Sequence, residues 1–170
     1  MRVCVFFPAE KRKKRKMSGI YLIVWDEVNK NHSHLLKSTK GGYPHVTIAY
    51  TGAQLSTKTL KEVAIQVFDQ WVLNPVILQR AEVSSWEDKK TGHMRHDVLL
   101  ICSDETQAEI EESRTLFLRN TFANHTHFTM RKPHVTHGSF EERGEAERVS
   151  QELNTQFLPH GVVVTGVTID

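Results

Sequence analysis

The sequence predicts an α+β protein with two roughly duplicated halves. Two observations lead there. Apolar segments of strand length alternate with segments whose apolar residues recur at helical spacing. One tetrapeptide, Pro-His-Val-Thr, occurs twice, at 44–47 and 133–136, once in each half of the chain.

Each element has its own local reason. Ile20-Tyr21-Leu22-Ile23-Val24-Trp25 is a continuous apolar run rich in strand formers and reads as a buried strand. A polar stretch over 26–42 ends in Gly41-Gly42, with a short helix allowed at His34-Leu35-Leu36. Residues 43–50 form the next strand, which carries the first motif and ends in the turn Thr51-Gly52. Leu60, Val63, Ala64, Val67, Phe68 and Trp71 follow a helical period, so 56–71 is a helix with Ser56 as its N-cap and Pro75 beyond its end. Residues 76–84 and 97–102 are strands around the polar turn 87–92, a hairpin that joins the two halves. A second helix over 104–120 starts at the N-cap Asp104 and is acidic in its first turns, with a thin stripe of Ile110 and Phe117. Residues 121–130 have no period and read as a loop. Residues 132–138 are the strand with the second motif. Ala146, Val149, Leu153 and Phe157 mark a third helix over 145–157, and 162–169 closes the fold as one strand.

Length and composition narrow the class. A chain of 170 residues suits one domain, or two small lobes sharing a core, and its 39% hydrophobic content is that of a folded protein. Cys4 and Cys102 form no motif and read as reduced thiols of a cytosolic protein. No apolar run approaches membrane-spanning length, and the apolar residues Val3 to Phe7 precede the basic run, the wrong order for a secretory signal. Charge is unevenly spread. Residues 1–16 hold seven Lys or Arg, six of them in the unbroken run Lys11 to Lys16, and one acid, Glu10. Removing these from totals of 22 and 20 leaves 15 basic and 19 acidic residues. The remainder is mildly acidic, which argues against a broad nucleic-acid-binding face. Residues 1–16 read as a basic, disordered N-terminal extension, with Met17 the natural start; a nucleic-acid arm or targeting tag is the alternative. Residues 17–170 form the single folded domain.

The repeated motif carries the chemistry. On a strand, residues i and i+2 share a face, so His45 projects with Thr47, and His134 with Thr136. If the two strands lie side by side, one cleft holds two imidazoles and two hydroxyls. Hydroxyls donate to phosphate oxygens, and two histidines divide acid and base work at neutral pH. Alone, either His-x-Thr is common by chance; two copies in opposite halves are not.

His-hydrophobic-Thr/Ser once per half resembles the signature of the two-histidine (2H) phosphoesterase superfamily, over residues 20–170. The resemblance implies a bilobal fold: two roughly duplicated antiparallel sheet lobes, helices outside, and a central cleft. It implies metal-independent phosphodiester chemistry, with His45 and His134 as the acid–base pair and Thr47 and Thr136 binding phosphate. One departure stands out. The residue after the first Thr is the usual apolar one, Ile48, whereas His137 follows the second. The opening Met17-Ser-Gly-Ile-Tyr-Leu-Ile-Val-Trp-Asp and the segment Lys40-Gly-Gly-Tyr-Pro-His-Val-Thr look most like phage anti-CBASS phosphodiesterases, which degrade cyclic oligonucleotide messengers. The superfamily also includes RNA 2',3'-cyclic phosphodiesterases and RNA-end trimming enzymes. The expected partner is a cyclic oligonucleotide or RNA-like phosphodiester, with no membrane and no stable protein partner, in the cytoplasm (the host's, if the chain is phage-encoded).

Softer candidates surround the motifs. Tyr21, Trp25, Tyr43 and Trp86 have aromatic faces on which bases stack, although strand aromatics more often sit in a core. Lys40, Arg131 and Lys132 flank the motifs as phosphate contacts or as solvated charges. The rival is a metal site at His32/His34, His125/His127 or His93/His96, but no pair has a carboxylate or Cys at a companion spacing. No cofactor is expected.

Overall fold

The computed structural model describes residues 17–24, 35, 44–52, 62, 76–121, 132–156, 158, 160–162 and 164–169. Seven strands and two helices lie within these residues. The strands are β1 (Met17–Val24), β2 (His45–Gly52), β3 (Val76–Glu87), β4 (Met94–Cys102), β5 (His134–Phe140), β6 (His160–Val162) and β7 (Val164–Ile169). The helices are α1 (Asp104–Thr121) and α2 (Arg143–Gln156). The fold class is α+β, as expected. The expected helix over 56–71 lies outside the described residues except for Glu62, which is helical. The loop over 121–130 lies outside them too, apart from Thr121 at the end of α1, as do residues 1–16.

The strands form one antiparallel sheet in the order β6-β3-β4-β5-β2-β1-β7. Where two sheet lobes were expected, one sheet crosses both motif strands. The halves also exchange strands. β3, from the first half of the chain, pairs with β4, while the C-terminal β7 pairs with β1. The closing strand is two strands. β6 adds to β3 at one edge of the sheet and β7 adds to β1 at the other, with one residue between them.

That one-residue link fixes the curvature. A flat seven-stranded sheet would separate its edge strands by about 29 Å, six spacings of ~4.8 Å. Val162 and Val164, two residues apart, are separated by at most about 7 Å. The sheet must therefore roll until its edges approach. A roll of this strand number has room inside for side chains or one small ligand, whereas a helix is about 10 Å across. So α1 and α2 lie outside, α2 against β3, β4 and β5 and α1 against β2. The face beneath them carries Val46, Ile48, Leu78, Val98, Leu100 and Val135, all fully buried, which meet Ile110 of α1 and Ala146 and Leu153 of α2 in the core. The opposite, concave face is the one His45 and His134 occupy.

The β3–β4 hairpin was expected, and its turn shows why it forms. The Asp88 carboxylate accepts from the Lys90 N–H at 2.9 Å, and its carbonyl accepts from the N–H groups of Thr91 (3.1 Å) and Gly92 (2.7 Å). The first of these bonds holds the exposed Asp88 carboxyl below its usual pKa. Gly92 supplies the left-handed φ of 70° that the turn needs. Beyond β6, the outer edge of β3 is closed by a side chain. Asn154 of α2 accepts from the Ala81 N–H at 2.7 Å and donates to the Ala81 carbonyl at 2.9 Å, standing in for a strand's peptide group. Cys102 is a free thiol at the end of β4, and burial pushes it up to about 12.

Each motif strand carries a bulge at the same place. Ile20 pairs with Ala49 and Tyr21 with Thr47, so Ile48 is an extra residue in β2. Leu99 pairs with Thr136 and Val98 with Gly138, so His137 is an extra residue in β5. Both follow the motif threonine directly. A bulge bends the strand and removes one residue from the ladder, and both extra residues are tied elsewhere. The Ile48 carbonyl accepts from Arg114 Nε of α1 at 2.5 Å. His137 is buried with 7% exposure and donates from Nδ1 to the Leu35 carbonyl at 2.9 Å. His137 takes the buried place of the usual apolar residue because its ring finds a partner there.

Arg114 is 3% exposed and also pairs with Glu111. Arg114→Met keeps most of the volume and removes the donor, leaving the Ile48 carbonyl unsatisfied in the core. The expected loss is about 1–3 kcal/mol of unfolding free energy. Urea denaturation would measure it, and a change below about 0.5 kcal/mol, the range of inert surface substitutions, would remove Arg114 from this role.

Candidate active site

The two motif strands are neighbours, and one residue pair sets their register: Val46 opposite Val135. Antiparallel counting then places His45 across from Thr136 and Thr47 across from His134. Both valines are fully buried on the helix side, and the four motif residues alternate with them, so all four stand on the concave face. His45 is exposed; Thr47, His134 and Thr136 are half-buried.

The backbone pattern adds the spacing. The Cys102 N–H donates to the Pro133 carbonyl at 3.0 Å, in the same register as Leu100 opposite Val135. The peptide groups of Val135 therefore face β4, and those of His134 and Thr136 face β2. His45/Thr136 and Thr47/His134 are then pairs of the wider kind, with Cα atoms about 5.5 Å apart, and residues two apart on a strand are about 7 Å apart. The result is a two-by-two array with histidines on one diagonal and threonines on the other. The histidine diagonal is roughly 9 Å between Cα atoms, by the same spacings. A tetrahedral phosphoryl group fits between two imidazoles set that way, with both hydroxyls beside it.

Proline and backbone position the second histidine further. Pro133 immediately precedes the strand, where no N–H is required of it. His134 Nδ1 lies 2.7 Å from the Lys132 carbonyl. A carbonyl only accepts, so Nδ1 carries the proton, and Nε2 is the nitrogen that gains or loses a proton when the ring titrates.

The other sequence candidates divide. The backbone of Tyr21 pairs with Thr47. Lys132 is exposed and contributes its carbonyl to His134. Trp86 is exposed near the end of β3. Trp25, Lys40, Tyr43 and Arg131 lie outside the described residues, as do His32, His34, His125 and His127. His96 is buried with Nδ1 2.7 Å from Ser85 Oγ, while His93 sits exposed in the turn. Among the described residues no three His, Cys, Asp or Glu side chains gather into a group fit for a metal ion, and no helix is long and apolar enough to cross a membrane. Arg114, Asp97 and Ser139 were missed. Nothing in the local sequence marks them, because their partners Ile48, Trp86 and one another are distant in the chain.

No family model matches the chain, and no curated protein matches it. Among solved structures it is similar to Usb1 of Kluyveromyces marxianus, at 10% identity over 82% of this chain and 81% of that one, with a TM-score of 0.49. It is similar to the same protein with uridine monophosphate, at 11% identity, 82% and 81% coverage and a TM-score of 0.48. A third likeness is to a chain described as a phosphoesterase, at 12% identity, 72% and 71% coverage and a TM-score of 0.43. At these values none of the three decides the fold or the chemistry of this chain.

The hydrogen bond to Lys132 has a direct spectroscopic consequence. With His134 neutral, its ring ¹⁵N resonances should report the Nδ1–H tautomer, the minor form of free histidine. A predominant Nε2–H signal would break the arrangement described.

Proposed function

We propose that the chain is a metal-independent phosphodiesterase whose acid–base pair is His45 and His134, with Thr47 and Thr136 holding the phosphoryl group. The observation that carries this is the two-by-two array: diagonal histidines reach opposite sides of a phosphorus atom, as in-line displacement requires. The histidine that is neutral takes the proton from the attacking oxygen. The protonated one gives a proton to the leaving oxygen. Such positioned transfer contributes ~10²–10⁴-fold each. The threonine hydroxyls donate to the phosphoryl oxygens, where negative charge builds.

The substrate class we propose is a ribonucleotide 3'–5' phosphodiester, and within it a cyclic oligonucleotide messenger of the kind that phage anti-CBASS enzymes remove. The opening segment from Met17 and the stretch from Lys40 to Thr47 support the narrower choice. The attacking group is the adjacent ribose 2'-OH. Its oxygen forms a bond to phosphorus as the bond to O5' breaks; its proton goes to the neutral histidine, and O5' receives one from the protonated histidine. The product is a 2',3'-cyclic phosphate, which water then opens. Linear RNA ends and 2',3'-cyclic phosphates are the alternative substrates, and a nucleotide- or RNA-binding module is the alternative without turnover.

A panel of cyclic dinucleotides, cyclic trinucleotides, linear oligoribonucleotides and 2',3'-cyclic ends, with products resolved by mass, separates these. More than one turnover per protein molecule is expected, and binding without it would favour the module. Activity should persist through prolonged chelation; loss on EDTA with rescue by zinc would hand the case to a metal. His45→Ala and His134→Ala should each lower kcat/KM by about 10² or more with the fold retained, and Thr47→Val and Thr136→Val by less. A substrate with 2'-deoxyribose at the attacking position should bind and stay intact. Cleavage of it near the ribo rate would make water the nucleophile.

A further inference from the structure

The concave face continues beyond the motif array, and it ends in a fixed aromatic ring. Thr136 lies opposite Leu99, and Leu99 opposite Glu82. With β3 and β4 paired regularly from Arg80 to Glu87, Ser84, Trp86, Arg95 and Asp97 share the face of Thr136. Trp86 is 37% exposed, unusual for a residue whose apolar area normally drives burial. Its ring is not loose. Trp86 Nε1 donates to Asp97 Oδ2 at 2.7 Å, and Ser139 Oγ of β5 donates to Asp97 Oδ1 at 2.6 Å.

The direction of this chain of bonds matters. Trp86 belongs to the row of Arg95, and Asp97 to the next row toward Thr136. The indole therefore leans from its own row toward the motif array. Stabilising the hairpin would need only the residue across from it, Arg95, whose guanidinium is instead held by Glu141 Oε1 at 2.9 Å. From Asp97 to the Thr136 row is one further step of two residues, about 7 Å, and one strand spacing of about 4.8 Å. One nucleotide unit spans that distance. The floor between is polar, with Ser84, Asp97 and Ser139.

We propose that Trp86, oriented by Asp97 and Ser139, is a stacking subsite for the nucleobase of a nucleotide adjoining the phosphate held at the motif array. This rests on the phosphodiesterase reading and adds to it the group that the site grips beside the phosphate. Because Asp97 and Ser139 hold the indole in advance, little ring motion is lost on binding. Every base has a π-face, so the subsite favours having a base over having a particular one.

The test is equilibrium binding of three linear dinucleoside phosphodiesters, all with 2'-O-methyl ribose so that none is cut. One carries two adenines; in each of the other two, one adenine, at one position or the other, is replaced by hydrogen. The wild-type protein should bind the complete probe about tenfold or more tighter than one of the abasic probes. Trp86→Ala should erase that ratio while its affinity for the abasic probe stays at the wild-type value, which also certifies its fold. Trp86→Phe should keep part of the ratio, and Asp97→Ala should reduce it. An unchanged ratio in Trp86→Ala overturns the subsite and leaves the catalytic array standing. Failure of the wild-type protein to bind any of the probes overturns both.

Discussion

The site depends on one contact, the pairing of Val46 with Val135. It is the residue pair by which β2 and β5 are registered, and the seam joins the two parts of the sheet. Because side chains alternate with period two, burying these valines commits the residues on either side to the opposite face. A slip of either strand by one residue would send its histidine under the helices and lift its valine into the cleft. The hydrophobic penalty against that slip, about 1.5–3 kcal/mol for each exposed valine, is what places the polar residues. The core thus specifies the face on which the motif side chains stand.

Around that seam the two motif strands are built alike. Each has proline before the histidine, a buried valine between histidine and threonine, and a bulge after the threonine. The means of holding each bulge differ. On β2 a buried guanidinium reaches in from α1, and on β5 the extra residue is itself polar and reaches out to Leu35. The requirement common to both is local: the strand must bend just past the threonine, and the groups released from the ladder must find partners.

What was legible in the sequence follows from this division. Elements whose signal is periodic or punctuated were read correctly in kind: the central hairpin, both described helices, and the motif strands. The pairing of those strands was conditional, since two identical tetrapeptides do not state that they are neighbours. The division of the last strand was hidden because Val162 to Ile169 is an uninterrupted run suited to a strand, and only the positions of β3 and β1 pull its ends to different edges. The duplicated lobes were inferred from motif order, which does not reveal that β3 and β7 have traded places. The partners of Ile48, His137 and Trp86 were illegible for a common reason. Each lies tens of residues away, and a hydrogen bond between distant residues leaves no periodicity.

The link between β6 and β7 also says something about how the chain reaches this form. The hairpin β3–β4 closes over a six-residue turn and is a contact the unfolded chain samples readily. The pairing of β1 with β7 joins Ile20 to Ile169, 149 positions apart, and β6 cannot settle on β3 without bringing β7 to within a residue of the other edge. Two distant closures are thus mechanically one event. The loop entropy of the second is largely met by the first, since after β6 docks the remaining search is confined to a few ångströms. A sheet of high contact order, which by topology alone belongs among slow folders, thus has two of its long-range closures coupled through one short link.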